Sequence, residues 1–169
     1  MSESIIVSGN TRKEKYTSLL PQIKTLAEDN PGPLAVLGNI MSALKYGLDF
    51  FWVGLYFVKG NELILGPFQG TVACTRIGFG KGVCGYAWQH AKTIIVDNVN
   101  DFEGHIACSS ATQSEIVLPV FGKNGKVIMV LDIDSEHLAH FTATDEMYLK
   151  QVVALIEKVA ENFAEGVAW

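Results

Sequence analysis

Apolar and polar positions follow two periods along this chain, and the switch between them separates helical ends from a stranded middle. From Tyr16 the apolar residues Tyr16, Leu19, Leu20, Ile23, Leu26 and Ala27 recur at helical spacing. Asp29-Asn30-Pro31-Gly32-Pro33 supplies the stop. Leu34, Leu37, Ile40, Met41, Leu44 and Leu48 repeat the pattern, so two amphipathic helices precede any strand. Phe51 to Val58 is rich in aromatic and β-branched residues and predicts a strand. Lys59-Gly60-Asn61 turns the chain, Glu62 to Leu65 returns as the second arm of a hairpin, and Gly66-Pro67 is expected to break it. Thr71 to Arg76 reads as a third strand carrying Cys74, Tyr86 to His90 as a short helix, and Thr93 to Val96 as a short strand. Asn98 to Ser114 shows no strong period and reads as a binding or lid loop. Ser114 to Phe121 and Lys126 to Ile133 are strands joined as a hairpin by Gly122-Lys123-Asn124-Gly125. Thr144 is the expected N-cap of a last helix that buries Leu149, Val152, Val153, Ile156, Val159, Ala160 and Phe163.

Strands linked by short turns pair antiparallel and do not build βαβ units. The predicted class is therefore α+β: one antiparallel sheet, with N- and C-terminal helices on one face and ligand loops on the other. Residues 1–15 read as a flexible leader, 16–163 as a single domain and 164–169 as a tail. A length of 169 residues fits one domain with a core of its own. With 49% hydrophobic and 18% charged residues, disorder and coiled coil are disfavoured. A net charge of −5 disfavours nucleic acid as a partner. No apolar run approaches the roughly 20 residues that span a bilayer, so no membrane association is expected. Met1 to Asn10 lacks a basic start followed by an apolar stretch, which makes cytoplasm the expected compartment.

The chemistry-bearing residues gather late in the chain. Asp132 and Asp134 alternate with Ile133 at the end of a strand, so both point to one side of the sheet. Glu115 opens the preceding strand, and pairing around the turn between Phe121 and Lys126 sets it opposite about position 132. Three acids at one sheet end, beside an irregular loop holding a thiol, read either as a solvated strand end or as a ligand site. The local spacing matches no calcium loop, and there is no Cys-x-x-Cys, so no metal is expected. His137 and His140 are expected on a solvated loop. The glycine run from Gly78 to Gly85 fails the phosphate-loop spacing, because Gly82 follows Lys81.

Cys74, Cys84 and Cys108 are an odd set, which argues against a secreted disulfide framework. Nearby carboxylates raise a thiol pKa, so a protease-like Cys–His pair does not fit, although His105 lies three residues before Cys108. A carboxylic acid that gives a proton to an oxygen leaving sulfur fits better. Cysteine takes up that oxygen as a sulfenic acid, and a second thiol condenses with it to a disulfide. Three cysteines supply both partners and a spare.

The segments Glu62 to Gly70, Ala73-Cys74, Gly80 to Gly85, Gly104-His105-Ile106-Ala107-Cys108, Ser114 to Val117 and Leu131 to Asp134 together resemble the free methionine-R-sulfoxide reductases, which are single GAF domains. The resemblance runs from about Tyr16 to Val159. It implies that Cys108 attacks sulfur and that Cys74 or Cys84 resolves the sulfenic acid, Cys74 being favoured and Cys84 serving as second partner or relay. It also implies that Glu115, Asp132 and Asp134 hold the substrate ammonium and protonate or polarise the sulfoxide oxygen. Trp52 would contact the substrate methyl group, with Tyr56 of the same strand grouped as substrate-binding; from the residues alone Trp52 is equally a core side chain. Backbone N–H groups of the Asn98 to Ser114 loop would take the carboxylate. A site enclosing both charged ends rejects peptides, since they leave its polar groups unpaired. No organic cofactor is implied, because electrons arrive by thiol–disulfide exchange from a thioredoxin-type reductant. A homodimer is compatible with the resemblance. The competing function is a non-catalytic GAF module that binds a small molecule and carries redox-sensing cysteines.

Overall fold

The computed structural model describes residues 4–28, 32–106 and 108–161. Six strands form one antiparallel sheet in the order β3-β2-β1-β6-β5-β4. They are β1 (Trp52–Lys59), β2 (Glu62–Gln69), β3 (Arg76–Gly78), β4 (Ile94–Val96), β5 (Ser114–Phe121) and β6 (Val127–Ser135). Helices α1 (Arg12–Glu28), α2 (Pro33–Leu48) and α4 (Ala143–Ala160) flank the strands in sequence, and α3 (Gly82–His90) lies between β3 and β4.

Period-two alternation sorts the central strands into two faces. Val53, Leu55, Ile116, Leu118, Leu131 and Ile133 share a buried cluster with Tyr16, Leu19 and Ile23 of α1, Leu37, Ile40 and Leu44 of α2, and Leu149, Val152 and Ile156 of α4. Trp52, Tyr56, Val117 and Val130 face the other way and pack with Val83, Cys84 and Ala87 of α3. The α+β class and the two-sided layout thus follow the alternation. No helix among the described residues is long and apolar enough to cross a membrane.

Several boundaries differ from the periodic expectation, each for a local reason. Helix α1 starts at Arg12, ahead of Tyr16, because polar groups rather than apolar ones begin it. The Glu14 N–H donates to Thr11 Oγ1 at 3.2 Å, and Glu14 Oε2 accepts from the N–H groups of Asn10 and Thr11 at 2.8 and 3.0 Å. Within the segment read as a leader, Ile5 and Val7 pack on the helical core. Leu34, in the first turn of α2, is 57% exposed. Strand β2 runs through Gly66-Pro67 to Gln69, because the register against β1 slips by one residue there. A bulge absorbs the proline, whose missing N–H would otherwise break the ladder. Cys74 lies in the connection before β3 and not on a strand. Helix α3 begins at Gly82, earlier than Tyr86. The N-cap of α4 is Thr142, two residues before Thr144, since Asp145 completes a capping box with it. The stop at residues 29–31, Phe163 and the tail lie outside the described residues.

Asp145 also ties α1 to α4. It is 1% exposed, accepts from the Tyr16 hydroxyl at 3.0 Å and from the Thr142 N–H at 2.9 Å, and pairs with Arg12 Nε at 3.4 Å. Asp145→Ala is expected to lower unfolding free energy by about 3 kcal/mol, because it strands a buried hydroxyl and a partly buried guanidinium. Urea titration checks this. Glu28→Ala, which removes the exposed Lys24–Glu28 pair, should leave the midpoint nearly unchanged.

Candidate active site

Strand β6 lies between β1 and β5, so its two aspartates have neighbours on both sides. Asp134 pairs with Trp52 on β1 and Glu115 on β5, and Asp132 pairs with Gly54 and Val117. Glu115 therefore faces position 134, not 132. Phe121 pairs with Val127 and an irregularity follows between Val120 and Phe121, which together move the register by two residues. A two-residue shift preserves which side chains share a face, so the acids still converge. Glu115 (6% exposed), Asp132 (7%) and the partly buried Asp134 line a narrow pocket with Trp52, Tyr56, Cys84, His105, Cys108 and Thr112.

Close backbone approach shapes one wall. A Cβ at Gly54 or Gly70 would run into the Trp52 indole, which lies across both glycines. Trp52 Nε1–H donates to the Thr71 carbonyl at 2.9 Å, and the ring stacks on Phe68 with 5.5 Å between centroids. The Tyr56 hydroxyl donates to the Cys74 carbonyl at 3.0 Å, which fixes the connection carrying that cysteine.

Cys74 and Cys108 form a disulfide, with Cα atoms 5.4 Å apart across 34 residues of sequence. Both are partly exposed, and Cys108 lines the pocket. The segment bearing Cys108 is secured at its ends: the Val99 N–H donates to the Gln113 carbonyl at 2.9 Å, and the Gln113 N–H to the Ser135 carbonyl at 2.8 Å. Cys84, in the first turn of α3, stays a free buried thiol and donates toward Glu115 Oε1 at 3.9 Å. The pairing is thus with Cys74, and Cys84 sits against the acids.

Burial dominates the electrostatics. It pushes the Asp132 carboxyl up to about 6, with hydrogen bonds to Cys84 and Glu115 pulling it back. It lifts Glu115 well above the usual range, reinforced by the charges of Asp132 and Asp134. Asp134 is raised by burial and then by Asp132, against a hydrogen bond from Thr112. The Cys84 thiol is held up by burial first, then by Asp132 and Glu115. Burial and the same acids keep the Tyr56 hydroxyl protonated. Carboxyl protons are therefore retained toward neutral pH, where ordinary surface acids have lost theirs.

These shifts carry a stability sign. In the window between 3.8 and about 6, native Asp132 binds more proton than its unfolded counterpart. Unfolding free energy contributed by this group is highest below that window and falls as pH rises through it. Urea midpoints measured from pH 4 to pH 7 should show a downward component that Asp132→Asn removes.

Two buried polar atoms among the described residues have no hydrogen-bond partner, Asp132 Oδ1 and His105 Nδ1. Both belong to residues lining the pocket. Cys84, Glu115 and Asp132 also offer ligand atoms within 4.8 Å of one another, the geometry of a possible cation site, although a thiol held protonated is a poor metal ligand. His137 is exposed as expected. His140 is not simply solvated: it is half-buried, contacts Arg12, and bonds Ser135 Oγ through Nδ1 at 2.6 Å. Thr112, buried and bonded to Asp134, was not singled out in sequence, where it lies in an aperiodic stretch.

The chain matches the GAF domain family over residues 35–159. It is 51% identical over 158 residues to GAF domain-containing protein A of Dictyostelium discoideum, covering 93% of this chain and 99% of that protein. It is 44% identical over 149 residues to free methionine-R-sulfoxide reductase of Escherichia coli, covering 88% and 90%. The structure of free methionine-R-sulfoxide reductase from Neisseria meningitidis, solved with its substrate, superposes with a TM-score of 0.91 at 45% identity, covering 94% of this chain and 96% of that one. With a bridged cysteine pair whose Cys108 lines the same pocket as the three acids, this chain belongs to the free methionine-R-sulfoxide reductase family of GAF domains.

Proposed function

We propose that this protein reduces free L-methionine-R-sulfoxide to L-methionine. The observation that carries this reading is the Cys74–Cys108 bridge, with Cys108 lining a pocket walled by three proton-retaining carboxyls. Cys108 sulfur attacks the sulfoxide sulfur, the oxygen takes up protons from the acid cluster, and oxygen transfer leaves methionine and a Cys108 sulfenic acid. The Cys74 thiol displaces the hydroxyl as water and closes the disulfide. A dithiol reductant of the thioredoxin type then takes the disulfide's place as the oxidised partner, returning both thiols.

Glu115, Asp132 and Asp134 divide the holding of the ammonium and the delivery of protons, and the unpaired Asp132 Oδ1 is a ready acceptor for an N–H. Trp52, pinned over Gly54, presents an apolar ring to the S-methyl group, with Tyr56 beside it. Cys84, a buried thiol beside the acids, donates toward Glu115. Cytoplasm as the compartment completes the reading.

The test is to mix reduced protein, dithiothreitol and each methionine sulfoxide epimer, free and N-acetylated, and to count methionine by chromatography. Rapid turnover is expected for the free R epimer, with little for the S epimer or the blocked substrate. Equal rates on the N-acetyl compound would remove the enclosed-ammonium site. Binding of the sulfoxide with no turnover at all would favour a sensory module.

A further inference from the structure

Resting on that reading and deepening it, we propose that the dithiol reductant is a protein that docks on an uncharged apolar collar, Val72 and Ile106, and attacks the bridge at Cys74. Each turnover leaves the Cys74–Cys108 bridge closed, so a thiol from outside the chain has to reach it. The two segments that carry the bridge echo one another: Val72-Ala73-Cys74-Thr75 and Ile106-Ala107-Cys108-Ser109. In each, a β-branched apolar residue stands two positions before the cysteine. Val72 is 88% exposed and Ile106 38%, and both border the pocket that Cys108 lines. Exposed apolar residues scattered singly need no explanation, but these two flank one reactive bond.

Acidic charge is kept off the same surface. The chain carries a net charge of −5, yet residues 70–75 and 104–110 contain no Asp or Glu. This suits an occupant that brings a thiolate, since carboxylates at the contact would raise its thiol pKa and slow the attack. Redox partners meet over small interfaces, below about 1,200 Å², so two apolar side chains are a large share of what such a partner grips. Position then decides which sulfur is struck. Cys108 lines the pocket with Glu115, Asp132 and Asp134, whereas Cys74 does not line it and is partly exposed. A protein too large to enter the pocket reaches Cys74. The reductant's thiolate attacks Cys74 Sγ, the bond to Cys108 Sγ breaks, and Cys108 takes a proton as it leaves. The reductant's second thiol displaces Cys74, which is protonated in turn, and the reductant departs as a disulfide. Two electrons and two protons pass to this chain.

Stopped-flow reduction of oxidised wild type, Val72→Ser, Ile106→Ser and Met147→Ser is to be followed with excess reduced thioredoxin and, separately, with dithiothreitol. Serine removes apolar surface without adding charge. Rate constants with thioredoxin should fall about tenfold for each collar variant, the span of one truncated interface anchor. Dithiothreitol needs no docking and should reduce Val72→Ser within about twofold of wild type. Met147, 51% exposed on α4 across the sheet, is the control, and its variant should match wild type with both reductants. Ile106 lies where a Cβ on Gly82 would touch it, so for Ile106→Ser the ratio of the two reductants is read rather than either rate. Equal thioredoxin rates in all four proteins overturn the collar, and so does a parallel fall with both reductants in the two collar variants. A wild type that thioredoxin reduces no faster than dithiothreitol at equal concentration overturns the choice of partner. Thioredoxin whose second active-site cysteine is replaced by serine should be trapped as a mixed disulfide that peptide mapping places on Cys74; an adduct on Cys108 overturns the order of attack. No sulfoxide enters these measurements, so a reduced wild type inert toward methionine sulfoxide overturns the reductase reading and not the docking.

Discussion

Fully reduced Cys108→Ser protein, mixed with excess free methionine-R-sulfoxide, should release no methionine, whereas Cys74→Ser and Cys84→Ser should each release one equivalent. The three thiols are not equivalent in place. Cys108 is partly exposed at the pocket, on the irregular segment, and its sulfur reaches Cys74. Cys84 is buried among acids that hold it as a thiol, the form that is not a nucleophile. Cys74 sits on a connection anchored by Tyr56, and its part begins only after oxygen has left the substrate. Without Cys74 the reaction stops at the sulfenic acid, trappable as a dimedone adduct on Cys108, even if recycling fails. A full equivalent of methionine from Cys108→Ser would take the nucleophile role from that residue.

The second large effect is on the chemical step. Glu115→Gln and Asp134→Asn should slow sulfenic acid formation by about 10²- to 10⁴-fold, the usual worth of a placed general acid, while the fold survives. Sulfoxide oxygen cannot leave sulfur without gaining protons, and these carboxyls are the buried groups whose surroundings keep protons on them. An amide keeps the shape and most hydrogen bonds but has no proton to give. It also removes a group that can hold the ammonium. Rapid mixing at saturating substrate separates the two losses, since weaker binding disappears there and slower proton delivery does not. Wild-type rates in both variants would make the cluster structural.

Much of this was legible in the residues, and the parts that were not share a cause. Period-two alternation placed Glu115, Asp132 and Asp134 on one face, because face depends only on parity. Which acid opposes which depends on a register shift between Val120 and Phe121, whose place and size the local residues do not specify. Gly66-Pro67 reads as a strand end because local propensity weighs a proline without knowing that β2 can carry it in a bulge, two residues against the single Leu55 of β1. His105 and Thr112 lie in a stretch without period, where position comes from tertiary contacts alone. The cysteine pairing rested on resemblance, since three thiols permit three bridges and nothing local chooses among them.

The bridge between Cys74 and Cys108 has a further consequence for the life of the molecule. It closes a loop across 34 residues of sequence, and in the chain-entropy account a closure of that size favours the folded chain by about 3–4 kcal/mol. The protein is then toughest when spent and softest when armed: each round of reduction restores reactivity and gives up resistance to heat. A cell short of reductant accumulates the durable form, so its stock of this protein outlasts the shortage and is ready when electrons return.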